Sequence, residues 1–114
     1  MKVNDPKAYH FLITNRILAT MRNYPYEPNR ILSIYHEDRY IGVATVMMSC
    51  INHEAFRKLL VKYSGYENEA EWINTALEIY KNMPKFIVLI KLLDFTNKEE
   101  IEELDAAILA QEQK

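Results

Sequence analysis

Cysteine is almost missing from this chain. Cys50 stands alone, so an internal disulfide is impossible and a reducing compartment is the natural setting. Glycine is nearly as scarce. Two glycines in 114 residues leave no material for a phosphate loop, a dinucleotide fingerprint or a nucleophile elbow. Four prolines and two glycines also leave little for long flexible linkers. No apolar run approaches the roughly 20 residues that a membrane helix requires. The opening Met1-Lys2-Val3-Asn4-Asp5-Pro6 is polar and does not read as a signal peptide. The expectation is a cytoplasmic protein. The histidines His10, His36 and His53 lie too far apart for zinc-ligand spacing, so neither a metal nor a cofactor is expected.

What is present is ordinary globular material, 49% apolar and 26% charged, enough for one core. The net charge of −2 conceals an asymmetry. Residues 1–62 hold nine Lys/Arg against five Asp/Glu, a balance of +4. Residues 63–114 hold five Lys against eleven Asp/Glu, a balance of −6. All five arginines fall in the first part. Arginine suits bidentate phosphate contacts, so one anion-attracting face is expected. Chance imbalance in a short chain is the plainer alternative.

Hydrophobic periodicity predicts the order β-α-β-β-α-α-β-α. Ala8 to Thr14 reads as a first strand, and Arg16 to Arg22 as a short helix with Ile17, Leu18 and Met21 on one face. Arg30 to Cys50 reads as an antiparallel hairpin turning at His36 to Arg39. A helix begins at Asn52 or His53, runs through Tyr63 and stops at Gly65. Asn68 with Glu71 resembles a capping box and opens a helix to about Lys81, burying Trp72, Ala76 and Ile79 or Tyr80. Phe86 to Phe95 reads as a long strand. Thr96 with Glu99 opens an acidic terminal helix whose Ile101, Leu104 and Ile108 form one stripe. The irregular alternation disfavours a doubly wound sheet. An α+β fold, a small mixed sheet or barrel with helices at its side, fits better.

Three features in order resemble the ASCH domains of the PUA-like superfamily. They are the strand Tyr9-His10-Phe11-Leu12-Ile13 with a helix ending at Met21-Arg22, the hairpin strand Ile41-Gly42-Val43-Ala44-Thr45-Val46, and Glu71-Trp72 followed by Phe86 to Leu93. The resemblance spans residues 8–95 and leaves 96–114 as an added acidic helix. It implies a small β-barrel that binds RNA or a nucleotide-like ligand in a cleft between barrel and helices. Many members carry Gly-x-Lys-x-x-Glu-x-Arg at the first helix. Here Ile17 stands at the lysine position and Thr20 at the glutamate position, and only Arg22 matches. The amidohydrolase chemistry of some members, which acts on modified nucleosides, is therefore not supported at those positions.

The segment Arg22 to Arg30 is the leading functional candidate. It interleaves Arg22 and Arg30 with Tyr24 and Tyr26 on a loop stiffened by Pro25 and Pro28. Arginine can grip phosphate and tyrosine can stack on a base. Arg39 at the hairpin turn could extend that contact. A surface loop whose tyrosines pack over the barrel mouth is the structural alternative. Two further readings stand beside RNA or nucleotide binding. One is a small hydrolase using Glu27, Glu37 or His36 for acid–base work. The other is a homodimer paired through Ile101, Leu104 and Ile108. Cys50 follows Met47 and Met48 and reads as a small buried hydrophobe.

Overall fold

The computed structural model describes residues 1–95. The expected acidic helix, with Ile101, Leu104 and Ile108, lies outside the described residues.

The first element is helix α1, Pro6–Asn15, where a strand was expected. Asp5 caps it, its Oδ2 accepting from the Lys7 and Ala8 amides, and Pro6 stands in the first turn with a φ already suited to a helix. Ala8 and Leu12, one turn apart, turn inward, and Arg16 ends the helix at φ 62° with its N–H on the Leu12 carbonyl. The expected helix over 16–22 is instead strand β1, Ile17–Arg22. Its apolar residues fit either period. Antiparallel pairing with β4, seventy residues on, decides it, with Ile17 opposite Lys91 and Arg22 opposite Phe86.

The hairpin holds as read. Strand β2, Ile31–His36, pairs antiparallel with β3, Arg39–Ile51. Glu37 and Asp38 both take positive φ, 49° and 64°, which matches the right-handed twist of the flanking strands in a two-residue turn. Helix α2, Glu54–Leu60, starts at His53, whose Nδ1 accepts from the Ala55 amide, and runs into a 3₁₀ turn over Val61–Tyr63. Helix α3, Glu69–Tyr80, starts at Asn68, whose Oδ1 accepts from the Glu71 amide at 2.8 Å. Strand β4, Phe86–Phe95, closes the order.

The four strands make one antiparallel sheet in the order β1-β4-β3-β2. It is open. A barrel needs a β1–β2 ladder, and those two strands are the sheet's edges. Residues 1–3 occupy the β2 edge instead: the Val3 amide donates to the Tyr35 carbonyl at 2.8 Å, and the Tyr35 amide to the Met1 carbonyl at 2.9 Å. The expected barrel, and with it the PUA-like architecture, is thereby corrected to an open-sheet α+β domain.

Helices cover both faces. Ala8 and Leu12 of α1 pack with Leu18, Leu32, Ile34, Val46, Val88 and Ile90 on one. Leu60, Trp72 and Ala76 pack with Ala19, Met21, Ile87 and Leu89 on the other. That is why β4 is apolar almost without interruption: as a central strand it buries alternate side chains in two different cores. Because α1 and α3 lie on opposite faces, bonds between them must pass around the β1 edge. Lys7 Nζ pairs there with Glu71, and the Tyr66 hydroxyl donates to Asp5 Oδ2 at 2.7 Å. Gly65 permits the approach. At φ 87°, a Cβ would stand 2.7 Å from the Lys7 carbonyl oxygen and 2.9 Å from Phe11 Cβ.

Candidate functional site

Where the helices fold around the β1 edge they leave a cavity of about 190 Å³. It has three walls. Lys2, Asn4 and Asp5 come from the chain before α1; Thr20 and Arg22 come from β1; Trp72 and Thr75 come from α3. Ser64 and Tyr66 join them from the turn before α3. The β alternation along 19–22 sends Ala19 and Met21 into the core under α3. Thr20 and Arg22 point to the opposite face.

Arg22 is the principal cation of this cavity. Its Nε donates to Thr20 Oγ1 at 3.2 Å and its Nη2 to the Lys2 carbonyl at 2.8 Å. Both acceptors are neutral. Among the described residues, no carboxylate stands within ion-pair distance of Arg22. The guanidinium is half-buried and held by these two bonds with no counter-charge among the described residues. The field around it is positive. The Met1 amino group, bonded to the Ser33 carbonyl, is pushed below its ordinary pKa by burial and then by the charges of Arg22 and Arg30. Lys2, at the same wall, pairs with Asp38 at 3.2 Å across exposed side chains.

The other end of the cavity is neutral or acidic. Tyr66 stays a neutral phenol. Burial raises its pKa far above the usual tyrosine range, and the hydrogen bond to the Asp5 carboxylate adds to the shift. Trp72, expected as a core residue, is 3% exposed and serves both the core and the cavity wall.

The sequence-predicted residues are divided by the fold. Arg22 lines the cavity. Tyr24, Tyr26 and Arg30 form a separate outer cluster. The tyrosine rings meet edge to face at 5.0 Å, and the Arg30 guanidinium lies 5.8 Å from the Tyr26 ring centre. Tyr26 also packs against the α1-side core, whereas Tyr24 is exposed. Arg39 opens β3 beside the turn, and its charge reaches Tyr9, whose ring stacks on His36 at 3.7 Å. Glu27, Glu37 and His36 do not line the cavity. His36 Nδ1 is engaged with the Val3 carbonyl at 2.8 Å. Burial pushes the Cys50 thiol up, away from thiolate chemistry. No metal-binding cluster of His, Cys, Asp or Glu occurs among the described residues.

Asp5, Ser64, Tyr66 and Thr75 were not singled out from sequence as site residues. Asp5-Pro6 did carry a local sign, a helix start. Tyr66 and Thr75 carried none, because only the wrap around the β1 edge brings them to Asp5.

Searched against family models, curated proteins and solved structures, the chain matches none. The ASCH resemblance and the RNA-binding expectation therefore rest on the quoted residues alone. Among the described residues no helix is long and apolar enough to cross a membrane.

Proposed function

We propose that this domain binds a small nucleotide-like ligand, its anionic group on Arg22 and its planar base in the cavity beside Trp72. One observation carries the reading: a half-buried guanidinium, fixed by two neutral acceptors, with no carboxylate partner among the described residues. Burying an unbalanced cation is costly, and a site that maintains one favours an incoming anion. The cavity's size suits one heterocycle, and its Ala19, Trp72 and Ala76 lining suits a flat apolar face. Arg30 and Tyr26 lie outside it and could steer or cover the ligand.

Trp72 is the chain's single tryptophan, so its fluorescence reads the cavity directly. Titration with nucleoside monophosphates should change that emission with saturation. The matching nucleosides and inorganic phosphate alone should bind more weakly. Arg22→Gln should weaken monophosphate binding by about ten- to a hundredfold, the worth of a charge-assisted hydrogen-bond pair. Equal affinity of wild type and Arg22→Gln would overturn the assignment.

A further inference from the structure

The cross-strand register shows how far the helices reach over the sheet. Ile17, Lys91, Thr45 and Ile31 stand opposite one another across all four strands, so they share a face. Ile17 packs in the core under α3, which makes that face the α2 and α3 side. The helices bury it on β1, on the Ile87 and Leu89 part of β4, and at Met48 and Cys50 of β3. They stop at this row. Past it, Val43 stands opposite Ser33 and Tyr40 opposite Tyr35, and none of these four belongs to either core. Ile31 is 58% exposed, Tyr40 47% and Leu93, two residues past Lys91, 50%. The Tyr35 and Tyr40 rings meet edge to face at 5.9 Å. The strand edge beside them is already taken by residues 1–3. What is left open is therefore a largely apolar face of side chains, which suits a packed helix rather than an added strand.

We propose that residues 96–114 of the same chain cover this face, laying Ile101, Leu104 and Ile108 across β2 and β3. Position, length and charge choose this occupant. Strand β4 ends at Phe95, opposite Gly42, so the chain leaves the sheet at the Tyr40 end of the open face. On a helix the stripe from Ile101 to Ile108 rises about 10 Å. That fits within the roughly 16 Å that a strand covers from Tyr40 to Thr45. Residues 96–114 carry six Asp/Glu against two Lys. The face carries Lys91, exposed and in no ion pair among the described residues. Helical spacing sets Asp105 one turn after Ile101, at the border of the stripe, and makes it the carboxylate to meet Lys91. The assignment does not depend on the nucleotide reading, because the cavity lies at the β1 edge and this face at β2 and β3.

The test uses the full chain and hydroxyl-radical labelling read by peptide mass. Tyr40 should be at least about threefold less reactive in the wild type than in Leu104→Asp, because packing under a helix takes an exposed ring out of solvent. Tyr24, exposed and outside this face, should react equally in both, and unchanged Trp72 emission should show that the α3-side core is intact. The protection of Tyr40 should not vary with protein concentration. Equal Tyr40 reactivity in the two proteins would overturn the proposal. Protection that disappears on dilution would overturn it as well, and would give the face to a second copy of the chain. A second measurement needs no variant. Carbodiimide coupling of dilute wild type should join Lys91 to Asp105 or a neighbouring glutamate within one chain. Coupling of those carboxylates to other lysines and never to Lys91 would refute the placement.

Discussion

Asp5 offers the sharpest test of how this domain is held together. One carboxylate oxygen ends three hydrogen bonds: the Lys7 amide at 3.1 Å, the Ala8 amide at 3.2 Å and the Tyr66 hydroxyl at 2.7 Å. The first two start α1. The third crosses the β1 edge to the turn before α3. Asp5→Ala removes the cap, worth about 1 kcal/mol. It also strands a half-buried phenol, worth about 1–3 kcal/mol. The expected loss is about 2–4 kcal/mol, a fall in melting temperature of the order of 10–20 °C for a domain this size. Tyr66→Phe removes only the crossing bond and should cost about 1–2 kcal/mol, because Asp5 keeps both amides. The double variant should then lose about 1–2 kcal/mol less than the sum of the two singles. Asp5→Asn should stay within about 1 kcal/mol of wild type. Urea unfolding followed by Trp72 emission measures all four. An Asp5→Ala loss below about 0.5 kcal/mol, or strict additivity with Tyr66→Phe, would refute the claim that one carboxylate ties the two layers.

Other consequences are open to measurement. Tyr66 has a raised folded-state pKa, so the stability it confers is complete below its ordinary unfolded value of about 10 and declines above it, as the unfolded phenol ionises. The stability gap between wild type and Tyr66→Phe should narrow from about pH 9 to pH 11; a constant gap contradicts this. Gly65→Ala places a Cβ 2.7 Å from the Lys7 carbonyl oxygen at φ 87° and should cost about 1–3 kcal/mol in chemical denaturation. Wild-type stability in that variant would mean that α1 and the turn are not in close contact. Ser49 buries a hydroxyl with no partner among the described residues, so Ser49→Ala should be neutral or stabilising by up to about 1 kcal/mol. A clear destabilisation would show that this hydroxyl has a role the geometry does not account for.

Local signals made much of the fold legible. The hairpin, α2 and α3 were readable because their caps, turns and periods lie within a few residues: His53, Asn68, and the charged pair Glu37-Asp38. Residues 8–22 were read with helix and strand exchanged. Ile17, Leu18 and Met21 satisfy either period, and β1 becomes a strand through Ile87 to Lys91, far along the chain. The Asp5-Pro6 start was the local sign that would have placed α1. The barrel was inferred from resemblance, and what prevents it is also non-local: residues 1–3 take the β2 edge. Arg22 was singled out from sequence as a candidate anion contact because arginine carries that chemistry wherever it lies, and the fold sets it in the cavity wall. Tyr66, Thr75 and Trp72 were not legible as its companions. Their meeting depends on two helices closing around one strand edge.

The placement of β4 has a consequence for the order of events during synthesis. It is the last described strand in the chain, and it lies between β1 and β3. A nascent chain that has reached residue 85 can form the β2–β3 hairpin, but β1 has nothing to pair with. The ten residues 86–95 then join both halves at once. Assembly is therefore concentrated in one late step with long sequence separation, which slows folding and leaves two apolar surfaces waiting. On the ribosome, the interval before β4 emerges is when this protein most needs a holdase.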